Sequence, residues 1–130
     1  MVQGFGQLIR QARKDQGYSQ RELAKLVDLD FTYLSKLENE RADYPPKEGA
    51  IRLLAKHLEL NAEELVFLAG RIPERDEALL KENYKAMPAL FRRMRKDPDF
   101  AQKVFSMAHE LAHGEMHNSQ EITQSKNQED

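Results

Sequence analysis

Apolar residues recur at helical spacing along most of this chain, and capping residues interrupt them at short intervals. Ser19 is followed three residues later by Glu22, a capping box that predicts a helix beginning at Gln20 and ending near Asp28. Asp30 can cap a second helix from Phe31 to about Glu38. Because a break of about three residues makes two helices cross steeply, this segment predicts a helix-turn-helix.

The other helix signals predict an all-α chain. Upstream of the paired helices, a helix is expected over about 4–15 and stops at Gly17. Downstream, a helix opened by Pro45-Pro46 is expected to run to about Leu58, and a helix capped by Asn61 is expected to end at Gly70. On the first helix of the pair, Leu23, Leu26 and Val27 are expected on one apolar face. On the second helix of the pair, Leu34 and Leu37 are expected on one apolar face. Residues 1–70 are therefore predicted to form a five-helix domain.

Residues 71–113 are predicted to form a helical extension. Pro73 begins a helix containing Ala78 and Leu79, and Met87-Pro88 is expected to break it. A short amphipathic piece follows, and Asp97-Pro98 starts a last helix with an apolar stripe. Residues 114–130 are polar and aperiodic, which predicts a disordered tail.

These features together resemble the lambda-repressor-like, or Xre-type, family of DNA-binding domains. The resemblance covers roughly Phe5 to Gly70, and the residues that carry it are Leu8-Ile9 and Arg13, Ser19-Gln20 and Glu22-Leu23-Ala24, Tyr33 to Asn39, and Ile51, Leu54, Ala55 and Leu58. Asp28 stands where the family usually has glycine, and Asp tolerates the left-handed backbone this turn needs. The segment Glu40–Lys47 is longer than the usual link between the third and fourth helices.

The resemblance implies a sequence-specific duplex DNA-binding transcriptional regulator, expected to be a repressor, with helix 31–38 in the major groove. Side chains near the start of that helix would read base edges: Phe31, Thr32, Ser35 and Lys36. An alternative for Phe31 is packing on the core where the chain enters the helix. The expected phosphate contacts are Gln20, Arg21, Tyr33, Asn39 and Arg41. Tyr33 could instead be a core ring.

Arg13 and Glu38 have a structural interpretation. In the resembling proteins these positions form a largely buried ion pair that joins the first helix to the end of the third. Loss of either partner would leave a buried charge unpaired, so both residues are expected to matter for folding without contacting a base.

Composition refines this interpretation. The 130 residues have 40% hydrophobic content, no cysteine and a net charge of −2, with 10 basic and 11 acidic side chains in residues 1–70. Non-specific electrostatic attraction to DNA should therefore be weak, and a local face of Arg21, Lys36, Arg41 and Lys47 must provide it. No stretch predicts a membrane span or signal peptide, so a cytoplasmic location without cofactor or disulfide is expected.

A competing motif lies near the carboxyl terminus, where His109-Glu110-Leu111-Ala112-His113 matches the zinc-peptidase pattern H-E-x-x-H. The motif lacks the later ligands of longer peptidase signatures, and upstream helices belong to another fold. We therefore expect no enzyme and no metal. His109, His113 and His117 are weak candidates for an incidental metal site.

The extension offers apolar side chains for pairing. We expect Phe91, Met94, Phe100, Val104 and Met107 to bury against a second copy of the chain, because a single helix-turn-helix reads only a few base pairs. These residues could instead fold back on the fifth helix. Two other interpretations remain open: an antitoxin or partner-regulated autorepressor whose carboxyl-terminal part binds another protein, and an adaptor that has lost DNA binding.

Overall fold

The computed structural model describes residues 4–110, and every regular element in that range is helical, as predicted. The elements are α1 (Phe5–Asp15), α2 (Gln20–Leu26), α3 (Phe31–Glu38), α4 (Glu48–Leu58), α5 (Ala62–Leu68), a 3-10 turn (Glu74–Asp76), α6 (Glu77–Glu82), α7 (Ala86–Lys96) and a helix α8 over 98–110. The chain divides after Leu79 into two compact units. No helix in the described range is long and apolar enough to span a bilayer.

Short-range capping signals are confirmed at the starts of three helices. The Ser19 hydroxyl accepts a hydrogen bond from the Glu22 amide at 3.1 Å, and the Glu22 carboxylate accepts one from the Ser19 amide at 3.2 Å. Asp30 caps α3, and Asn61 caps α5. Each side chain satisfies backbone N–H groups that have no partner within the helix.

The turn between α2 and α3 depends on Asp28. Its backbone is left-handed, with φ 53°, and the following residue, Leu29, donates its amide hydrogen to the Ala24 carbonyl at 2.9 Å. This pattern is a Schellman motif, which closes a helix and turns the chain sharply. The prediction that Asp can replace glycine here is confirmed.

The core of the first unit lies among α1 to α5. Its side chains are buried, and they are Ile9, Ala12, Leu23, Ala24, Val27, Leu34, Leu37, Ile51, Leu54, Ala55, Leu58, Leu65 and Val66. Leu26 differs from the prediction, because it is 44% exposed. Leu23 and Val27 lie one turn apart and fill the buried face of this short helix, which leaves Leu26 at its side.

The start of α1 packs directly against the end of α3. A Cβ atom on Gly6 would lie 2.0 Å from the Leu37 carbonyl oxygen, so only glycine fits. The Glu40 carboxylate accepts hydrogen bonds from the amides of Gly6 at 2.9 Å and Gln7 at 3.3 Å. Glu40 therefore caps α1 from a position far away in sequence.

The structure corrects the predicted start of the fourth helix. Pro45 and Pro46 do not open α4; Lys47 is its N-cap and the helix begins at Glu48. The carbonyl groups of both prolines accept hydrogen bonds from the Arg71 guanidinium, and Pro46 is buried. A proline also disfavours helical backbone in the residue before it, so this pair forms an extended lead into α4.

A second correction concerns Met87-Pro88, which does not break the helix. The interruption lies at residues 83–85, and Pro88 falls in the first turn of α7. An amide in the first turn has no acceptor within its own helix, so proline is tolerated there. Asp97 then starts α8 as predicted, and its carboxylate accepts from the Phe100 amide at 3.1 Å.

Substituting two glycines should separate close packing from helix propensity. Gly6→Ala is expected to lower the free energy of unfolding by about 1–3 kcal/mol, because the added methyl group meets backbone. Gly49→Ala in α4 adds a methyl with nothing within 4 Å and should raise it by up to about 1 kcal/mol. Urea unfolding followed by circular dichroism measures both, and equal effects of the two substitutions would contradict the packing at Gly6.

Candidate nucleic-acid interface

One face of α3 is anchored in the core. Leu34, Leu37 and Glu38 are buried, and the Asp30 carboxylate accepts from the amides of Thr32 at 2.9 Å and Tyr33 at 3.2 Å. At the other end, the left-handed Glu40 lets the Arg41 amide donate to the Lys36 carbonyl at 2.8 Å. Both ends of α3 are therefore closed by hydrogen bonds, and the helix is held in one orientation.

The other face of α3 carries the predicted base-reading residues. Thr32 and Lys36 are exposed, and Ser35 is half-buried. Phe31 is 38% exposed and is not among the apolar residues packed on the core. The structure thus brings the four predicted residues together on two turns of one helix.

Phe31 has one specific neighbour. The central carbon of the Arg21 guanidinium lies 4.6 Å from the centroid of the Phe31 ring, a cation–π contact. Arg21 belongs to α2 and Phe31 is the first residue of α3, so the contact links the two helices of the motif. Sequence reasoning named both residues but did not pair them.

Tyr33 takes part in a contact that sequence reasoning missed. Its ring stacks on the ring of Tyr44 at a centroid distance of 5.4 Å, and its hydroxyl donates to the Tyr44 carbonyl at 2.9 Å. Burial, with a smaller contribution from Tyr44, raises the pKa of the Tyr33 phenol. Tyr33 therefore holds the loop between α3 and α4 against α3. The only sequence signal for this was an aromatic residue directly before Pro45-Pro46.

The remaining predicted phosphate contacts surround the two ends of the motif. The Gln20 amide is half-buried and donates to Glu38 at 3.1 Å, and the Asn39 amide donates to the Ser35 carbonyl at 2.9 Å. Arg21 and Arg41 are exposed, as is Lys47. The cations named from the sequence are thus solvent-accessible, whereas the two amides already serve the motif itself.

The Arg13–Glu38 ion pair is present and buried. Arg13 donates through Nε to one carboxylate oxygen at 2.9 Å and through Nη2 to the other at 3.0 Å. Its Nη1 donates to the Tyr18 carbonyl at 2.9 Å, and Gln20 completes the contacts of the carboxylate. Among the described residues no buried side-chain nitrogen or oxygen lacks a hydrogen-bond partner. A desolvated pair with this many contacts joins α1, α2 and α3 rigidly.

The predicted pairing residues lie in the second unit. Phe91 and Met107 are 49% and 61% exposed, whereas Met94, Phe100 and Val104 are half-buried. The Arg93 guanidinium lies 3.8 Å from the Phe100 ring centroid. Of the H-E-x-x-H motif, His109 and Glu110 are described, while His113 and His117 lie outside the described residues.

Comparison with known protein families finds a match over part of the first unit. Residues 9–65, from α1 into α5, match the family model for helix-turn-helix domains. One similar solved structure is the crystal structure of SinR, the master regulator for biofilm formation, in complex with DNA, and its sequence is 31% identical to this chain. The match covers 48% of this chain and 97% of that chain, with a TM-score of 0.43. A SinR protein/SinI protein complex is 25% identical, with 78% and 98% covered and a TM-score of 0.43. No curated protein matches the chain.

Breaking the buried ion pair should destabilise the first unit far more than breaking an exposed one. Arg13→Ala is expected to lower the free energy of unfolding by about 3–5 kcal/mol, because Glu38 would be left buried and charged. Arg52→Ala is the control: it removes an exposed i,i+4 pair with Glu48, worth about 0.3–0.5 kcal/mol. Similar urea midpoints for the two variants would show that the buried pair is not structural.

Proposed function

We propose a function for this chain from one premise, that it belongs to the helix-turn-helix family of DNA-binding transcriptional regulators. The chain is a repressor that binds an operator of two half-sites as a dimer, with α3 of each copy in the major groove. The anchoring of α3 carries this proposal. Its buried face and closed ends fix the helix, and its opposite face leaves Phe31, Thr32 and Lys36 exposed.

The side chains on that face suit base edges. Lys36 can donate to guanine O6 or N7, the Ser35 hydroxyl can donate or accept, and the Thr32 methyl can contact a thymine methyl. All three lie within two turns of the helix start, where recognition helices meet bases. Phe31 contributes apolar surface to the same face.

Phosphate contacts come from residues that flank α3. Arg41 lies three residues after the end of α3 and is exposed, so it can reach the DNA backbone. Asn39 and Gln20 can contribute through amide hydrogens that their contacts within the motif do not use, since each amide group carries two. The Tyr33 hydroxyl donates its single hydrogen to Tyr44, so its role is to position the loop that carries Tyr44.

The second unit pairs two copies of the chain. None of residues 80–110 is buried, and large apolar side chains are exposed there, including Tyr84, Leu90, Phe91, Phe105 and Met107. Helices without buried residues cannot offset the conformational entropy lost on ordering, so this unit gains its core by association. Pairing would place two copies of α3 on half-sites about 34 Å apart.

The same surface supports a second candidate function. Exposed apolar side chains next to Arg92, Arg93, Arg95 and Lys96 would also suit another protein, as in a partner-regulated autorepressor. The two candidates differ in the mass of the purified chain. Self-pairing gives a dimer of the chain alone, whereas a surface reserved for another protein leaves a monomer.

Selection of bound duplexes from a random pool, at a stated salt concentration, tests DNA recognition. Lys36→Ala should weaken binding to the preferred duplex by about 1–3 kcal/mol and relax the preference at one position. Arg41→Ala should weaken binding to all duplexes equally. It should also reduce the salt dependence of binding by the amount expected for the loss of about one phosphate contact. Lys56→Ala, on exposed α4 surface, is the control. If the chain shows no preference among duplexes, the proposal fails.

Multi-angle light scattering of the full chain tests pairing. The double variant Phe91→Ser with Met107→Ser should halve the measured mass, because it removes two exposed apolar side chains from the second unit. Leu53→Ser, at a 39% exposed leucine of α4, should leave the mass unchanged. A monomeric wild-type chain, or an unaltered mass in the double variant, would contradict self-pairing.

A further inference from the structure

The cation–π contact between Arg21 and Phe31 joins two exposed side chains at the start of the recognition helix. Phe31 is the first residue of α3, and Arg21 reaches its ring from α2 at 4.6 Å. The contact adds little to the core, because neither residue belongs to the core cluster. It does set the relative position of an aromatic ring and a guanidinium on the surface assigned to DNA.

Arg21 also differs from three arginines that form ion pairs within the described residues. Arg13, Arg52 and Arg75 each form an ion pair with a glutamate. In the part of the chain that the structure describes, no carboxylate lies within ion-pair distance of Arg21. Its guanidinium is therefore not held by an ion pair and remains available to an electronegative ligand.

We infer that Arg21 and Phe31 act as one reading element for a thymine followed by guanine on the same DNA strand. The inference rests on the proposed function and replaces the phosphate contact predicted for Arg21. A guanidinium that stacks over an aromatic ring keeps its N–H donors, which lie in the guanidinium plane, for guanine O6 and N7. The exposed part of the Phe31 ring packs on the thymine methyl group.

The spacing of the two groups fits neighbouring bases. Successive bases on one strand are about 3.4 Å apart along the axis. The 4.6 Å between the guanidinium carbon and the ring centroid spans one such step but not two. A cytosine with a methyl group at C5 presents the same apolar surface as thymine, so this element would also accept 5-methylcytosine before guanine.

The element is held in place before DNA arrives. The Asp30 cap fixes the backbone at the start of α3, which positions Phe31. Contact with the ring restricts the long Arg21 side chain, so less conformational entropy is lost when it binds guanine. A cation that only contacts phosphate needs no such restraint.

Base analogues in the preferred duplex test this element in the full-length protein. Replacing thymine by uracil removes only the methyl group. At one thymine position of a half-site, this replacement should weaken binding about fourfold. Replacing the guanine on its 3′ side by 7-deazaguanine removes the N7 acceptor and should weaken binding about fivefold or more. Restoring the methyl with 5-methylcytosine in place of thymine, opposite guanine, should retain more affinity than cytosine.

Variants assign each effect to its residue. Phe31→Ala should abolish the uracil effect and reduce the 7-deazaguanine effect, because Arg21 loses its support. Arg21→Gln should abolish the 7-deazaguanine effect. Lys25→Gln, which removes an exposed charge from the same helix, is the matched control and should keep both effects. Thermal unfolding by circular dichroism verifies that each variant is folded.

The outcomes separate this inference from the proposed function. If the duplex preference is intact but uracil in place of thymine does not weaken binding at any position, the inferred contact with the thymine methyl group is wrong. If Arg21→Gln weakens every duplex equally and lowers the salt dependence, Arg21 contacts phosphate and the inference is overturned. If the wild-type chain shows no preference among duplexes, the proposed function and the inference both fail.

Discussion

The buried ion pair between Arg13 and Glu38 determines how α3 is held. Desolvating two charges costs several kcal/mol for each ion, so such a pair persists only where its geometry and hydrogen bonds are nearly complete. Here Tyr18 and Gln20 supply the additional contacts. Because Glu38 is the last residue of α3, the pair fixes one end of the helix while Asp30 closes the other. The pair thereby sets the orientation of α3, and removal of either partner would leave the other charge buried and unpaired.

This rigid frame matters because the chain has little charge with which to attract DNA. Its net charge is −2, and the basic side chains near α3 are few. Affinity must then come from contacts made in the correct register, which requires a helix and neighbouring loop that do not move relative to each other. The Tyr33–Tyr44 stack and the Glu40 cap on α1 serve this purpose, since each ties a segment next to α3 to the rest of the first unit.

The two units differ in how many apolar side chains they bury. The first has a continuous core from α1 to α5, whereas none of residues 80–110 is buried. Such a division fits a protein in which one unit contacts DNA and the other contacts protein. With the proposed pairing, stability of the second unit would depend on protein concentration, because association would supply apolar burial that residues 80–110 do not have on their own.

The sequence by itself determined the all-helical character of the chain, the caps at the starts of α2, α3 and α5, and the exposed face of α3. Those signals operate over three or four residues, as in the capping box of Ser19, the Asp30 cap and the Leu34/Leu37 spacing, so they do not depend on the rest of the chain. The buried pair came from family resemblance, because no local pattern links positions 25 apart.

Only the tertiary structure decided which distant side chains meet. Glu40 caps α1, Arg71 binds the carbonyl groups of the two prolines, and Arg21 lies over Phe31. The start of α4 followed the same rule, because a proline pair suits either an extended lead or a first helical turn, and the hydrogen bonds from Arg71 select the extended lead. Packing between helices, not local preference, selects among such alternatives, since only packing brings residues together that are remote in sequence.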